Sequence, residues 1–97
     1  MRIPKQVMIL GHKVSIKQTS KLPSGDADTL GVADVLDDVI HLHKDMSNEA
    51  KYKILLHEIF HHALWANGVS QTISPEIEEC IVQAFASVYR EIKKQGI

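Results

Sequence analysis

The chain is nearly devoid of cysteine, and its single thiol, Cys80, has no partner for an internal disulfide. This composition is typical of a protein kept in a reducing compartment, and we expect a cytoplasmic location. A run of about 18 apolar residues is also lacking, as is the apolar core of a signal peptide, so we expect no membrane association. From its place on a helix, Cys80 is predicted to be a small buried hydrophobe rather than a metal ligand.

An excess of charge of one sign is absent too. The net charge of the 97 residues is −1, and the basic residues are scattered. This distribution lacks the basic surface that nucleic-acid binding requires, so we predict no nucleic-acid partner. The hydrophobic fraction of 44% and the charged fraction of 24% are typical of a globular protein. The length predicts one domain covering residues 1–97.

The first half of the chain predicts β-structure. We expect a strand region from Val7 to Ile16, with Gly11 at a bulge or bend. A second strand is predicted from Thr29 to Val35. The polar residues from Lys17 to Asp28 are predicted to form a surface loop between these two regions.

A third strand is predicted from Val39 to His43, because apolar and polar residues alternate there. Ile40 and Leu42 should face one side of the sheet. His41 and His43 should share the other side, where they either line a cleft or simply face solvent. Solvent exposure is the interpretation favoured by the sequence.

The second half predicts two helices. Ser47 is predicted to cap the first helix, which ends at Asn67-Gly68. Ser74 and Pro75 are typical of the start of the second. Its predicted buried stripe consists of Ile77, Ile81, Phe85, Val88 and Ile92. The sequence therefore predicts an α+β domain in which two main helices pack on an antiparallel sheet of about three strands.

The motif His57-Glu58-Ile59-Phe60-His61 lies within the first predicted helix. Histidines four residues apart fall on the same helix face, where two imidazoles can bind one zinc ion. Glu58 between them can then accept a proton from a metal-bound water, which is the role of the catalytic base. The alternative is a helix with two surface histidines. The apolar residues around the motif argue against it, because buried polar groups need partners.

A catalytic zinc site needs a third protein ligand, and the second helix offers Glu78 and Glu79. A short connection makes the two helices antiparallel neighbours. At about 100° per residue, Glu78 lies closer to the middle of the predicted buried stripe, so helical phase mildly favours it. Either glutamate is otherwise explained as a solvated charge near a helix N-terminus.

The segments Leu56-His57-Glu58-Ile59-Phe60-His61-His62-Ala63 and Glu79-Cys80-Ile81-Val82-Gln83-Ala84-Phe85-Ala86 resemble the ImmA/IrrE family of small bacterial and phage-borne metallopeptidases. In that family H-E-x-x-H is paired with a later E-x-x-A-N-x-F-A pattern. Phe85 and Ala86 match that pattern, whereas Val82 and Gln83 depart from it. The resemblance covers about residues 47–90.

The resemblance implies a minimal zincin-like domain that binds Zn²⁺ through His57, His61 and Glu79, with Glu58 as the catalytic base. It implies an endopeptidase acting on a peptide or protein substrate, in some family members a repressor-type regulator. It also supports substrate pairing along an exposed edge strand, which we expect to be Val39 to His43. A transition-state donor is expected among His41, His43 and Tyr89. His62 points about 100° away from His61 and is predicted to be structural or exposed.

Two other functions remain open from the sequence. A regulatory binding module that keeps the metal but does little chemistry would tolerate Glu58→Gln. A metal-free structural or dimerising domain would not respond to a chelator. Mixed histidine and glutamate sites also accept other divalent ions, so the sequence alone leaves iron, cobalt and manganese beside zinc.

Overall fold

The computed structural model describes residues 2–23 and 29–97. The elements in chain order are β1 (Gln6–Ile9), β2 (His12–Thr19), β3 (Gly31–Asp34), β4 (Val39–His43), α1 (Asn48–Ala66), a 3₁₀ turn (Val69–Gln71) and α2 (Pro75–Lys94). The predicted α+β class is confirmed. In neither described range does a helix combine the length and apolar character that crossing a membrane requires.

In the part of the chain that the structure describes, the sheet has four strands in the order β1-β2-β4-β3. β1 and β2 are antiparallel, as are β3 and β4, but β2 and β4 run parallel. The prediction of about three antiparallel strands was therefore wrong in the number of strands and in the direction of one strand pair, β2 with β4. Leu10 and Gly11 adopt φ of 47° and 86°, and this tight turn folds the first predicted β region into a hairpin. Alternation along a strand defines its faces but not its neighbours, so the parallel pairing was not visible in the sequence.

Among the described strands, β3 forms the edge of the sheet next to the helices. The prediction that Val39 to His43 forms an exposed edge was wrong, because β4 lies between β2 and β3. Leu30 C=O accepts a hydrogen bond from His43 N–H on β4. Along an antiparallel strand, every second residue forms hydrogen bonds with its partner strand and the residues between point their backbone groups the other way. It follows that Gly31 and Ala33 direct their backbone groups away from β4, toward the open edge.

The predicted polar loop begins later than expected. β2 continues through Thr19, where it pairs with His43, so the segment from Lys17 is strand rather than loop. Leu22, further along, is buried at 8% exposure. The part of the prediction that covers residues 24–28 lies outside the described residues.

The core lies between one face of the sheet and α1. Ile40 and Leu42 are fully buried and pack with Val14, Ile16 and Leu55. The predicted orientation of Ile40 and Leu42 is thus confirmed. Since side chains alternate along β4, His41 and His43 lie on the opposite face of the sheet, away from α1.

The helix ends form as the sequence predicts. Ser47 Oγ accepts a hydrogen bond from Ala50 N–H at 3.1 Å, and Ser74 Oγ accepts one from Ile77 N–H at 3.2 Å. Gly68, just beyond the C-cap Asn67, has φ of 87°, a conformation that costs glycine little. The 3₁₀ turn then reverses the chain, and the first turn of α2 lies beside the middle of α1.

The buried face of α2 is not the predicted one. Val82 and Ala86 are buried at 0% and 5% exposure, whereas Ile77, Phe85 and Val88 are exposed at 52%, 58% and 49%. Among the described elements, α2 packs chiefly on α1, and one neighbour covers only one side of a helix. Ile81 and Ile92, the other two residues of the predicted stripe, are partly buried. Cys80 is also exposed, so its predicted burial was wrong.

Candidate metal centre

His57 and His61 present their Nε2 atoms to each other from successive turns of α1. The two nitrogens are 3.3 Å apart and the ring centroids 4.9 Å apart. The side chains are 22% and 21% exposed. The i, i+4 spacing of the motif produces this arrangement directly, because such residues share one face of a helix.

Glu79 closes the third side of the cluster from the first turns of α2. Its Oε1 lies 2.8 Å from His57 Nε2, and its Oε2 lies 3.0 Å from His61 Nε2. One ligand atom from each of the three residues lies within 4.8 Å of the others. The resemblance singled out Glu79, and the fold brings its carboxylate to both imidazoles. At 48% exposure it leaves the cluster open to solvent on one side.

Glu78 reaches the other side of the His61 ring. Its Oε2 lies 2.6 Å from His61 Nδ1, and its side chain is 18% exposed. Burial raises the pKa of Glu78, but the nearby Ser70 hydroxyl and the His61 ring outweigh it, so that the pKa falls below its usual range. Because Ser70 Oγ makes no hydrogen bond with any described residue, we attribute less of the lowering of the Glu78 pKa to Ser70 than to His61. Adjacent helical residues diverge by about 100°, which separates the two glutamates.

The donor set suits a divalent cation. His61 Nδ1 is the atom that donates to Glu78, so the neutral ring has a lone pair at Nε2. That lone pair faces His57 Nε2 and a Glu79 oxygen. With the proton of His57 on Nδ1, all three of these atoms are acceptors, and a cation among them would satisfy all three. Zinc bonds of about 2.1 Å place tetrahedral ligands about 3.4 Å apart, close to the 3.3 Å between the two nitrogens.

Glu58 lies on α1 between the two histidines and faces β3. Burial raises the pKa of its carboxyl group, and the nearby His61 and His57 side chains only partly oppose this rise. The backbone N–H of Ala33 also acts to lower the pKa of Glu58. A cavity of about 410 Å³ opens here, lined by β3 residues together with Glu58, His61 and Glu78. A carboxylate whose pKa is raised is better suited to accept a proton near neutral pH.

Gly31 allows β3 to approach α1 this closely. A Cβ atom at this position would lie 2.5 Å from Ile54 Cγ2 and 3.3 Å from Glu58 Cγ. Real Cβ atoms do not come within 2.5 Å of carbon, so any other residue would push the strand or the helix away. Glycine is therefore required here by close approach.

A second polar cluster, which we did not predict from the sequence, lies beside the centre. His62 is fully buried, and its Nε2 lies 2.9 Å from Asp38 Oδ1 in the β3–β4 turn. Asp38 Oδ2 lies 3.3 Å from His12 Nδ1. The prediction that His62 is structural rather than a ligand agrees with this placement. The residue that could have indicated this turn in the sequence is Asp38, because aspartate tolerates the φ of 53° that the turn requires.

The three candidate transition-state donors lie elsewhere. His41 is on the far face of the sheet, and so is His43, whose Nδ1 accepts a hydrogen bond from Asp45 N–H at 3.1 Å. Tyr89 packs on Phe60, with ring centroids 6.3 Å apart, further along the helix pair. A larger cavity of about 950 Å³, lined by Tyr52 and Arg90 among others, lies near the C-terminal end of α2 and contains none of the cluster residues.

Comparison of the chain with protein-family models, with curated proteins and with solved structures found no match. The geometry of His57, Glu58, His61, Glu78 and Glu79 therefore provides the physical basis for a functional proposal.

Proposed function

We propose that the protein is a zinc-dependent metallopeptidase in which His57, His61 and Glu79 bind the metal. The observation that carries this proposal is the position of the Glu79 carboxylate, 2.8 Å and 3.0 Å from the two Nε2 atoms. The resemblance of the two helical segments to the ImmA/IrrE family supports the same ligand set. It extends the proposal to a minimal zincin-like fold and to a peptide or protein substrate, with a repressor-type regulator as one example.

The chain's own residues fit the chemistry of hydrolysis. Zinc in such a site activates water and polarises the carbonyl group of the substrate. Glu58 takes up a proton at its carboxylate and returns it to the leaving amine. The raised pKa of Glu58 favours both steps, because a base of intermediate pKa both accepts and releases a proton readily. Glu78 holds the Nδ1 proton of His61 and thereby keeps Nε2 free as a ligand atom.

The outer edge of β3, which no other described strand pairs with, provides a place for the substrate backbone. Gly31 and Ala33 direct backbone groups outward there, beside Glu58 and the cavity of about 410 Å³. An extended peptide that adds to this edge would form backbone hydrogen bonds next to the base. Substrate selection would then depend on the pockets on either side, with backbone pairing giving sequence-independent affinity.

The deciding experiment compares the wild type with Glu58→Gln and His57→Ala after loading with zinc. We expect the wild type to cleave an unstructured protein such as casein or a mixed peptide library. Glu58→Gln should retain one zinc per chain and lose cleavage by at least about a hundredfold, because proton transfer is removed. His57→Ala should lose both the metal and the activity.

Two results would overturn the proposal. If the zinc-loaded wild type cleaves none of the library peptides, the peptidase proposal fails. The alternative that then stands is a regulatory binding module that keeps the metal but does little chemistry. Equal metal content in the wild type and in His57→Ala would remove the proposed centre altogether. Circular dichroism of each variant separates either result from loss of the fold.

A further inference from the structure

We propose that the protein binds a small organic phosphate in the cavity of about 950 Å³ between the first turn of α1 and the last turns of α2. The proposal rests on three observations: the concentration of positive charge around the cavity, a buried arginine nitrogen without a partner, and the size and lining of the space. It does not depend on the proposed peptidase function, because the cavity contains none of the residues of the metal centre.

Positive charge is concentrated around this cavity. Four of the 11 Lys and Arg residues of the chain line it, against a single acidic side chain, Glu49; the four are Lys53, Arg90, Lys93 and Lys94. Among the described residues every ion pair involves a histidine, and none involves these four side chains. The chain as a whole has a net charge of −1, so this end of the helix pair carries a local excess of positive charge that an anion would balance.

Arg90 indicates a ligand more directly than the lysines do. Lys93 and Lys94 lie in the last turn of α2, where the helix dipole favours positive charge, so their position is explained without a ligand. Arg90 precedes that turn and is partly buried, and its Nε atom is buried without a hydrogen-bond partner among the described residues. A buried donor without a partner is unfavourable. Because Arg90 lines the cavity, a turn about its side-chain bonds would bring the guanidinium group to a phosphate there, which it can bind through two parallel N–H donors.

The cavity has the size of a small-molecule site rather than that of a single ion. Sites for small molecules and cofactors measure about 300–1,000 Å³. A phosphate group would fill only part of this space, and the ring of Tyr52 forms another part of the wall. Tyr52 also packs against the hydrophobic core, which holds this wall in place. The cavity therefore fits an organic phosphate whose apolar part, such as an aromatic ring, lies against Tyr52.

The first turn of α1 contributes to the same wall with effects of both signs. Ser47, Glu49 and Ala50 line the cavity there. The first N–H groups of a helix have no partner within the helix and favour anions. The carboxylate of Glu49 lies in the same turn and opposes them. Removing the charge of Glu49 should therefore strengthen phosphate binding, whereas removing a basic charge should weaken it.

Titration of the isotope-labelled full chain, followed by NMR at constant ionic strength, tests the proposal. The probes are phenyl phosphate, inorganic phosphate, and phenylacetate, which carries a similar ring on a carboxylate. With phenyl phosphate up to about 20 mM we expect saturable shifts of the Arg90 Nε–H signal and of the first amide signals of α1. The other two probes should bind at least about fivefold more weakly, because each lacks either the ring or the phosphate. No saturation with phenyl phosphate, or equal affinity for either of the other probes, overturns the proposal.

Two variants with matched controls assign the binding to this cavity. Arg90→Gln should weaken phenyl phosphate binding by at least about tenfold, because a charged hydrogen-bond donor is removed. Arg2→Gln removes the same charge from an exposed residue outside the cavity and should leave the affinity unchanged. Glu49→Gln should strengthen binding by at least about twofold, because a repelling charge is removed. Glu76→Gln, at the other end of α2, should have no effect. Equal effects of a variant and its control would show only a general effect of net charge and contradict the site.

Two further variants keep the test decisive. Lys53 is exposed and lines the same cavity, so Lys53→Gln should fold even if Arg90→Gln does not, and it should weaken binding by at least about threefold. His57→Ala separates the cavity from the metal centre, and it should bind phenyl phosphate with the affinity of the wild type. Wild-type affinity in Lys53→Gln, or loss of binding in His57→Ala, overturns the proposal, the latter because it would place the phosphate at the metal centre.

Discussion

At the scale of single residues, the centre depends on two adjacent glutamates with different tasks. Glu79 faces both Nε2 atoms, whereas Glu78 lies 2.6 Å from His61 Nδ1. A partner at the second nitrogen fixes the tautomer of a metal-binding histidine and raises its basicity. In the proposed zinc site, Glu79 is therefore the ligand and Glu78 positions His61.

This division of roles predicts two different losses of metal affinity. Glu78→Ala should weaken zinc binding by about 10–100-fold, as expected for a group that orients a ligand. Glu79→Ala should weaken it further, because a ligand is removed. Glu76→Ala, an exposed glutamate in the same first turn, is the control. Competition with a chromophoric chelator measures all three, and a larger loss in Glu78→Ala than in Glu79→Ala would reverse the assignment.

The contact between Asp38 and His62 predicts a pH-dependent contribution to stability. Hydrogen bonds from His62 and His12 lower the pKa of Asp38 below its ordinary value. A carboxyl group whose pKa is lower in the folded state stabilises the fold above its unfolded pKa, here about 3.8, and this contribution disappears as pH falls through the folded value. Asp38→Asn should therefore be less stable than the wild type near pH 6, and the difference should shrink below about pH 4.

Urea denaturation at a series of pH values measures that difference. Asp37→Asn is the matched control, because Asp37 is an exposed neighbour in the same turn. The same destabilisation in both variants, or a difference that does not change between pH 6 and pH 3, would show that the ion pair is not its source.

At the scale of elements, the site exists because three elements meet. α1 supplies His57, Glu58 and His61, α2 supplies the two glutamates, and β3 closes the space beside Glu58. The serine caps at Ser47 and Ser74 define where each helix starts, and the 3₁₀ turn sets which turn of α2 lies beside the motif. A shift of α2 by one residue would rotate both Glu78 and Glu79 by about 100° around the helix axis, so that Glu79 would no longer face both imidazoles.

The close approach of β3 to α1 predicts the effect of Gly31→Ala. The new methyl group would overlap Ile54 Cγ2 at 2.5 Å and crowd Glu58 at 3.3 Å. We expect destabilisation of about 1–3 kcal/mol, typical of overpacking, and a loss of cleavage larger than the loss of metal affinity, because Glu58 moves and the ligands do not.

Double-variant analysis isolates that overlap. If Ile54 is the obstacle, Gly31→Ala combined with Ile54→Ala should be more stable than the sum of the two single changes implies. If the two changes in the free energy of unfolding, measured by urea denaturation, are strictly additive, the effect of Gly31→Ala arises from the backbone instead.

At the scale of the whole molecule, a chain of 97 residues has a small core, so a bound ion should matter for its stability. A ligand at a hundred times its dissociation constant stabilises a fold by about 2.7 kcal/mol. For a domain of this size we expect zinc to raise the melting temperature by more than about 10 °C, and EDTA to reverse the rise. His43→Ala, on the far face of the sheet, should keep this response and His57→Ala should lose it. A melting curve unaffected by zinc in the wild type would contradict a shared ion.

The local sequence determined those features that depend on near neighbours in the chain. Ser47, Gly68, Ser74 and Pro75 defined the helix ends through hydrogen bonds and dihedral angles of single residues. The i, i+4 spacing placed His57 and His61 together, and the alternation in β4 assigned Ile40 and Leu42 to the core. Each of these follows from the geometry of one element.

Only the tertiary structure decided the relations between elements. Phase within α2 favoured Glu78 as the ligand, but the docking of α2 on α1 turned Glu79 to both imidazoles and Val82 and Ala86 to the core. Likewise, β4 became an interior strand because β3 returned outside it. Periodicity gives an element its faces, whereas the neighbour that each face meets depends on packing across the whole chain.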